Sequence, residues 1–255
     1  METKKIEVII KDLTQVFFEA GDLSIELRNK GLTKSVKKDN TPVTNGDIEV
    51  NNIILNNLKK ISPSIPIVSE ETSENKNLDL NTFWLVDPID GTYDYINNRD
   101  EFTLNAGLII NKVAVAGIIY APAKKRMFYS YGNNISYELN NSNEKVLNNK
   151  NIDKNNIRAV SYSNNLKPEI IEIHKKLRVK EYVKMKSSLK FCVIAAGEFH
   201  VYVAEPRANE WDIAAGHAIL KNSGGTVTDL DGKEILYGKN GFKNPGIILK
   251  STADL

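Results

Sequence analysis

The sequence predicts an α+β fold, antiparallel in its first half and α/β in its second. Three observations carry this. A long apolar stripe of helical period opens the chain, alternating apolar segments separated by short turns fill the middle, and strand and helix patterns then take turns to the end. The stripe comprises Ile6, Ile9, Ile10, Leu13, Val16, Phe17, Ala20, Leu23 and Leu27, one face of an amphipathic helix. A polar segment, 34–45, leads into a second helical pattern with Ile48, Ile53, Ile54, Leu55 and Leu58. Asp47 lies in its first turn, where a carboxylate suits the helix dipole. Residues 66–68 read as extended and deliver Ser69, Glu70 and Glu71 to their end.

Residues 83–86 read as a buried strand that Pro88 stops, keeping Asp87 extended. Gly91 and Thr92 then open a short helix through Tyr95. An antiparallel meander follows over 102–110, 113–120, 126–131 and 135–139, with turns at Asn111-Lys112 and at Gly132-Asn133-Asn134. The segment 140–156, rich in Asn and Lys, is the expected boundary between an N-terminal lobe, 1–145, and a C-terminal lobe, 146–255. Beyond it, 159–161, 182–185, 199–204, 226–229 and 246–250 read as extended. Residues 168–177, 187–196 and 212–222 read as helical, the last followed by Gly224-Gly225. There is no internal repeat.

At 255 residues, with 41% hydrophobic and 26% charged residues, the chain has ordinary globular composition. A net charge of +2 supplies no basic field for nucleic acid, and a small anionic substrate needs only a local positive site. The single cysteine, Cys192, excludes an internal disulfide framework and a thiolate metal site, and its apolar surroundings make it a packing residue. Apolar runs such as 104–110 fall short of the ~20 residues of a bilayer span. The N-terminus lacks a signal-like apolar core. A cytoplasmic protein is expected, with peripheral attachment to the inner membrane left open.

The chemistry concentrates in Trp84-Leu85-Val86-Asp87-Pro88-Ile89-Asp90-Gly91-Thr92. Asp87 and Asp90 flank a proline turn that exposes the Ile89 carbonyl, and Glu70 and Asp212 stand at similar element ends. A calcium-binding EF-hand loop does not fit: Ile89 holds the third position, a proline interrupts, and no glutamate stands at the twelfth. The plainer alternative for Asp90 is a cap on the short helix after it. Four carboxylates held together repel unless cations neutralise them, and a set without His or Cys favours Mg²⁺ over Zn²⁺. Two such ions, roughly 3.5–4 Å apart, can clamp the attacking and leaving oxygens of a phosphoryl transfer. The backbone N–H groups of Gly91 and Thr92, at a helix start, suit a phosphate.

Asp87-Pro88-Ile89-Asp90-Gly91-Thr92 and Trp211-Asp212-Ile213-Ala214-Ala215-Gly216 resemble the two signatures of the inositol monophosphatase superfamily, lithium-sensitive Mg²⁺-dependent phosphatases. The resemblance covers nearly the whole chain and is closest to the bacterial 3′(2′),5′-bisphosphate nucleotidases. It extends to 38–44, Ser69-Glu70-Glu71, 101–105, Ser187-Ser188-Leu189-Lys190-Phe191-Cys192 and Asn244-Pro245-Gly246. It implies a layered αβαβα sandwich with the site between two lobes, in a monomer or a homodimer. By resemblance, Glu70, Asp87 and the Ile89 carbonyl hold one metal and Asp87, Asp90 and Asp212 a second, and Glu70 touches a third through water. Asp47 and Thr92, with Thr44 behind them, orient the nucleophilic water. Gly91 and Thr92 hold the phosphate. The implied reaction is in-line attack by metal-activated water with no covalent intermediate, releasing AMP and phosphate from adenosine 3′,5′-bisphosphate.

Lys190 discriminates among phosphate esters. An unpaired lysine in an apolar neighbourhood is costly unless it snorkels to solvent, and a second substrate phosphate supplies a partner. By the same resemblance, Ser188 belongs with Lys190 to the substrate-binding stretch. His217 reads as a satisfied helix histidine, Trp211 as packing that fixes Asp212, and His174 and His200 give no site signal. Glu71 points away from Glu70 if the segment is extended. The Lys34, Lys37 and Lys38 cluster reads as a solvated face, although its loop could shield the metals or meet anionic substrate. Arg207 departs from the subgroup pattern, which leaves the nucleoside pocket open in detail. Two further functions compete: an inositol-1-phosphatase or broader sugar phosphatase, and a regulatory protein of the same fold contacting RNA or the transcription machinery.

Overall fold

The computed structural model describes residues 2–37, 40–72, 80–140, 143–148 and 152–255. The chain begins with α1 (Thr3–Lys30), the hairpin β1 (Lys34–Val36) and β2 (Pro42–Thr44), α2 (Asn45–Ile61) and β3 (Ile67–Ser69). Next come β4 (Thr82–Asp90), α3 (Thr92–Ile96), β5 (Thr103–Ile110), β6 (Val113–Ala121), β7 (Arg126–Ser130), β8 (Ser136–Asn140) and β9 (Asn143–Leu147). The second half runs β10 (Ile157–Ser161), α4 (Pro168–Lys176), β11 (Val179–Lys184), α5 (Leu189–Ala195), β12 (Val201–Ala204), α6 (Glu210–Asn222), β13 (Thr226–Asp229) and β14 (Ile247–Lys250).

Strands β3 to β9 form a seven-stranded sheet in sequence order, antiparallel except for the parallel β3–β4 pair. The five-stranded sheet is ordered β11-β10-β12-β14-β13, parallel on one side and antiparallel on the other. Helices α1 and α2 cover one face of the larger sheet, and α5 and α6 lie between the sheets. Helix α4 packs on the outer face of the smaller sheet. These five layers are the αβαβα sandwich.

Two-sided covering explains why β4 reads as a continuous apolar run. Phe83 and Leu85 enter the core with α6, whereas Trp84 and Val86 enter the core with α1 and α2. The sheet also admits α6 closely. A Cβ on Gly107 would stand 2.7 Å from Ala214 Cβ, and one on Gly117 would stand 2.6 Å from the Ala215 carbonyl.

One local expectation is corrected, and two segments that read only as polar hold strands. Pro88 does not stop β4, which continues to Asp90 through an irregular register. The segment 140–156 carries β9, an edge strand whose residues Asn143 to Val146 are exposed, so it lacks the apolar alternation that marks a strand. Its residues 141, 142 and 149–151 lie outside the described residues. The polar segment after α1 contains the β1–β2 hairpin, with all of β1 exposed.

Candidate active site

Asp87 and Asp90 are three residues apart, which on a regular strand puts them on opposite faces. Asp87 pairs with Asn105 and Asp90 with Thr103, so β4 holds one residue more than β5 over this interval. The bulge returns Asp90 to the face of Asp87. Pro88 sits inside it, where a missing ladder donor is tolerated. That face, shared with Phe83 and Leu85, looks toward α6.

Glu70 follows β3 and is tied down by its backbone N–H, which donates to the Val86 carbonyl at 3.0 Å. Asp212 is the third residue of α6, where its carboxylate accepts the Asn209 N–H at 2.7 Å in a capping box. Carboxylate oxygens of Glu70, Asp87 and Asp212 thereby come within 4.8 Å of one another. Asp90 stands beside this group, takes a hydrogen bond from the Ser188 backbone, and feels the charges of Lys190 and Arg207. It does not cap α3, whose N-cap is Gly91. Gly91 has a φ of 94°, and a Cβ there would lie 2.9 Å from the Glu101 carbonyl, so the tight turn needs glycine.

This cluster is electrostatically incomplete. Burial, then the charges of Glu70, Asp90 and Asp212, push Asp87 well above the usual carboxylate range. Burial, then Asp90 and Glu70, do the same to Asp212. Burial pushes Asp90 up to about 6 against the pull of Lys190. Asp87 Oδ1 is buried with no hydrogen-bond partner among the described residues. An orphaned, buried carboxylate oxygen among further carboxylates fits a hard divalent cation.

Asp47 is buried at the start of α2 and accepts from the Thr44 N–H at 2.7 Å and the Thr44 hydroxyl at 2.6 Å. Its other oxygen, Oδ1, lies 3.1 Å from Thr92 Oγ1, which is also 3.1 Å from the Ile89 carbonyl. The three residues that lie apart as Thr44, Asp47 and Thr92 thus form one chain of hydrogen bonds reaching β4.

Lys37 was expected on a solvated face; instead its Nζ lies 2.8 Å from both Glu70 Oε1 and Glu71 Oε1. Burial opposes its charge, but the two carboxylates outweigh burial and raise its pKa. Glu70 and Glu71 follow β3 in a turn rather than in extended chain, so the expected divergence of their side chains does not hold. Burial raises Glu71 to about 7. Lys34 is exposed, and Lys38 and Asp39 lie outside the described residues.

A cavity of about 310 Å³ opens beside Asp90, Gly91 and Asp212. The same cavity is lined by Lys186, Lys190 and Arg207, with Tyr162, Tyr202 and Glu205. Lys190 is buried, donates to the Ser187 carbonyl and lies 5.3 Å from the Tyr202 ring centroid. Burial lowers its pKa to about 8, against the raising effect of Asp90, and the nearby Arg207 and Lys186 lower it further. Ser188 Oγ is engaged with Asn105 Oδ1 at 2.7 Å and Thr103 Oγ1 at 2.8 Å, tying α5 to β5 beneath the cavity. Lys186, Tyr162, Tyr202 and Glu205 were not singled out from sequence. The strand-end positions of Tyr162 and Glu205, after β10 and β12, were the available signal. His217 lies away from the cavity, its Nδ1 2.9 Å from the Tyr237 hydroxyl, and Trp211 packs on Phe242 at 5.7 Å.

A family model described as "Inositol monophosphatase family" matches residues 5–253. The chain belongs to the inositol monophosphatase family. It is 36% identical over 234 residues to the 3′(2′),5′-bisphosphate nucleotidase CysQ of Buchnera aphidicola, covering 90% of this chain and 87% of that one. It is 32% identical over 246 residues to the protein of that name from Salmonella typhimurium, covering 93% and 98%. The crystal structure of CysQ from Bacteroides thetaiotaomicron, a bacterial member of the family, superposes with a TM-score of 0.76 at 28% identity, covering 92% and 94% of the two chains. The chain is a phosphatase of the inositol monophosphatase family.

Proposed function

We propose that this phosphatase is a Mg²⁺-dependent 3′(2′),5′-bisphosphate nucleotidase that converts adenosine 3′,5′-bisphosphate to AMP and phosphate. One observation carries the reading: a single cavity is lined both by the carboxylates Asp90 and Asp212 and by the cations Lys186, Lys190 and Arg207. A substrate with phosphates at both ends meets both demands, whereas inositol monophosphate offers only hydroxyls to the cations. The similar proteins named as CysQ nucleotidases support the same choice.

Glu70, Asp87 and the Ile89 carbonyl would hold one Mg²⁺, Asp87, Asp90 and Asp212 a second, and Glu70 a third through water. When bound, the ions lower the pKa of a coordinated water and neutralise charge on the transferring phosphoryl group. The remaining work belongs to the chain. Asp47, already hydrogen-bonded to Thr44, accepts the Thr92 hydroxyl proton in a hydrogen bond. That fixes the Thr92 oxygen as an acceptor, which aligns the attacking water with phosphorus. The water's proton passes to Glu70 or to the Asp47–Thr92 pair. The Gly91 and Thr92 N–H groups hold the phosphate, Lys190 pairs with the second phosphate, and Ser188 keeps α5 in place beneath it. As the new P–O bond forms, the ester bond breaks and AMP leaves with its freed hydroxyl.

Phosphate release from adenosine 3′,5′-bisphosphate, 3′-AMP and inositol 1-phosphate, with and without Mg²⁺, tests the proposal. Mg²⁺-dependent turnover favouring the bisphosphate is expected, with inhibition by lithium. Lys190→Met is expected to damage bisphosphate hydrolysis far more than inositol phosphate hydrolysis. A wild-type preference for inositol 1-phosphate overturns the reading.

A further inference from the structure

The guanidinium of Arg207 lies over the ring of Tyr162, with its central carbon 3.9 Å from the ring centroid. A guanidinium held over a ring face keeps N–H donors available for another partner. Tyr162 is pinned in turn: its hydroxyl reaches both oxygens of Glu205, at 2.8 and 2.9 Å. Glu205 is paired with Lys167 at 3.2 Å, so its charge is already balanced. Arg207 makes no ion pair with a described residue. It nevertheless faces the cavity together with Lys186 and Lys190.

We propose that Arg207, braced by Tyr162 and Glu205, is a second clamp on the remote phosphate of the substrate and sets the preference for bisphosphorylated nucleosides. The inference rests on the nucleotidase reading and deepens it. Lys186, Lys190 and Arg207 line one cavity close enough to repel one another, and none is in salt-bridge contact with a carboxylate of a described residue, so an anionic group brought in would balance them. A phosphate suits a guanidinium edge, because two parallel N–H groups match two phosphate oxygens. Lys190 approaches as a point charge from the buried side, whereas Arg207 stands at the exposed mouth. The two therefore hold different oxygens. Tyr162 and Glu205 are positioning residues, since neither needs to touch substrate. The plainer account, a surface arginine that packs on a tyrosine, leaves substrate preference untouched.

The test compares wild type, Arg207→Gln, Arg207→Lys, Tyr162→Phe and Lys190→Met on adenosine 3′,5′-bisphosphate and on 3′-AMP at saturating Mg²⁺, with Tm recorded for each. Arg207→Gln is expected to lose roughly 10–100-fold in kcat/KM on the bisphosphate, as a rise in KM, and less than about threefold on 3′-AMP. Arg207→Lys is expected to recover part of the loss. Tyr162→Phe is expected to raise KM for the bisphosphate by roughly threefold with kcat unchanged. Equal losses on both substrates, or none, overturn the clamp while a wild-type bisphosphate preference leaves the nucleotidase reading standing. Absence of that preference in wild type overturns both.

Discussion

Thr92 and Asp47, separated by 45 positions in sequence, lie 3.1 Å apart, hydroxyl to carboxylate, where α2 meets the end of β4. Asp47 is buried and its second oxygen is saturated by Thr44, so the carboxylate has little freedom to turn away. Thr92→Val keeps the side-chain volume and removes the hydroxyl. It is expected to lower kcat on the order of 100-fold or more, with KM within about threefold. Thr92→Ser is expected to retain most of kcat. Steady-state phosphate release decides between this role and a structural one, which would leave kcat intact.

Asp87 places an unpartnered oxygen within the acidic cluster. In wild type, Mg²⁺ at 100 times its Kd is expected to stabilise the protein by about 2.7 kcal/mol. Asp87→Asn removes one of the repelling charges and, on the proposed reading, a metal ligand, so the metal-free variant is expected to melt higher than metal-free wild type. Mg²⁺ is then expected to leave its Tm nearly unchanged. Thermal melts across a Mg²⁺ titration measure both effects, and a wild-type-sized metal shift in the variant would falsify the assignment.

His217 supplies a pH dependence away from the cluster. Burial lowers its pKa from 6.5 to about 3, and Lys221 and Lys239 add to the effect. A histidine depressed in the folded state contributes its full stability above its unfolded value and loses it as pH falls toward the folded value. Between pH 6.5 and pH 5 the loss from this residue is about 2 kcal/mol, at 1.4 kcal/mol per pH unit. His217→Gln is expected to flatten the fall in urea midpoint over that interval relative to wild type. Parallel slopes contradict the buried neutral imidazole.

Gly107 sets how closely α6 approaches the large sheet. Gly107→Ala brings a methyl to 2.7 Å from the Ala214 side chain and the Ala215 backbone nitrogen, with no flexible group to yield. A loss of about 1–3 kcal/mol is expected. Because α6 carries Asp212, the half-saturating Mg²⁺ concentration is expected to rise as well. Chemical denaturation and Mg²⁺ dependence of turnover report the two effects separately.

Legibility followed the range of the interactions. The helices α1 and α2 and the strands β5 to β8 were readable because each carries its periodicity within a few turns or a few alternating residues. Strand β9 was not, because Asn143-Glu144-Lys145-Val146 is polar and exposed, and only pairing with β8 makes it a strand. The end of β4 was misjudged because Pro88 breaks a regular strand but is accommodated in a bulge. In the sequence Lys37 reads as solvated, because no local pattern reveals that the β1–β2 hairpin folds back on Glu70 and Glu71.

By itself the sequence determined the chemistry on offer: carboxylates and a carbonyl without histidine or thiolate at Glu70, Asp87, Ile89, Asp90 and Asp212, and a glycine where the chain must turn sharply. Residue type decides which ions and groups a site can bind, and that property is local. Tertiary structure decided the geometry: the extra residue that turns Asp90 to the face of Asp87, the approach of α6 that brings Asp212 within 4.8 Å of Glu70 and Asp87, and the stack of Arg207 on Tyr162. Each depends on surfaces built from distant segments packing at van der Waals distance, which no short stretch of chain encodes.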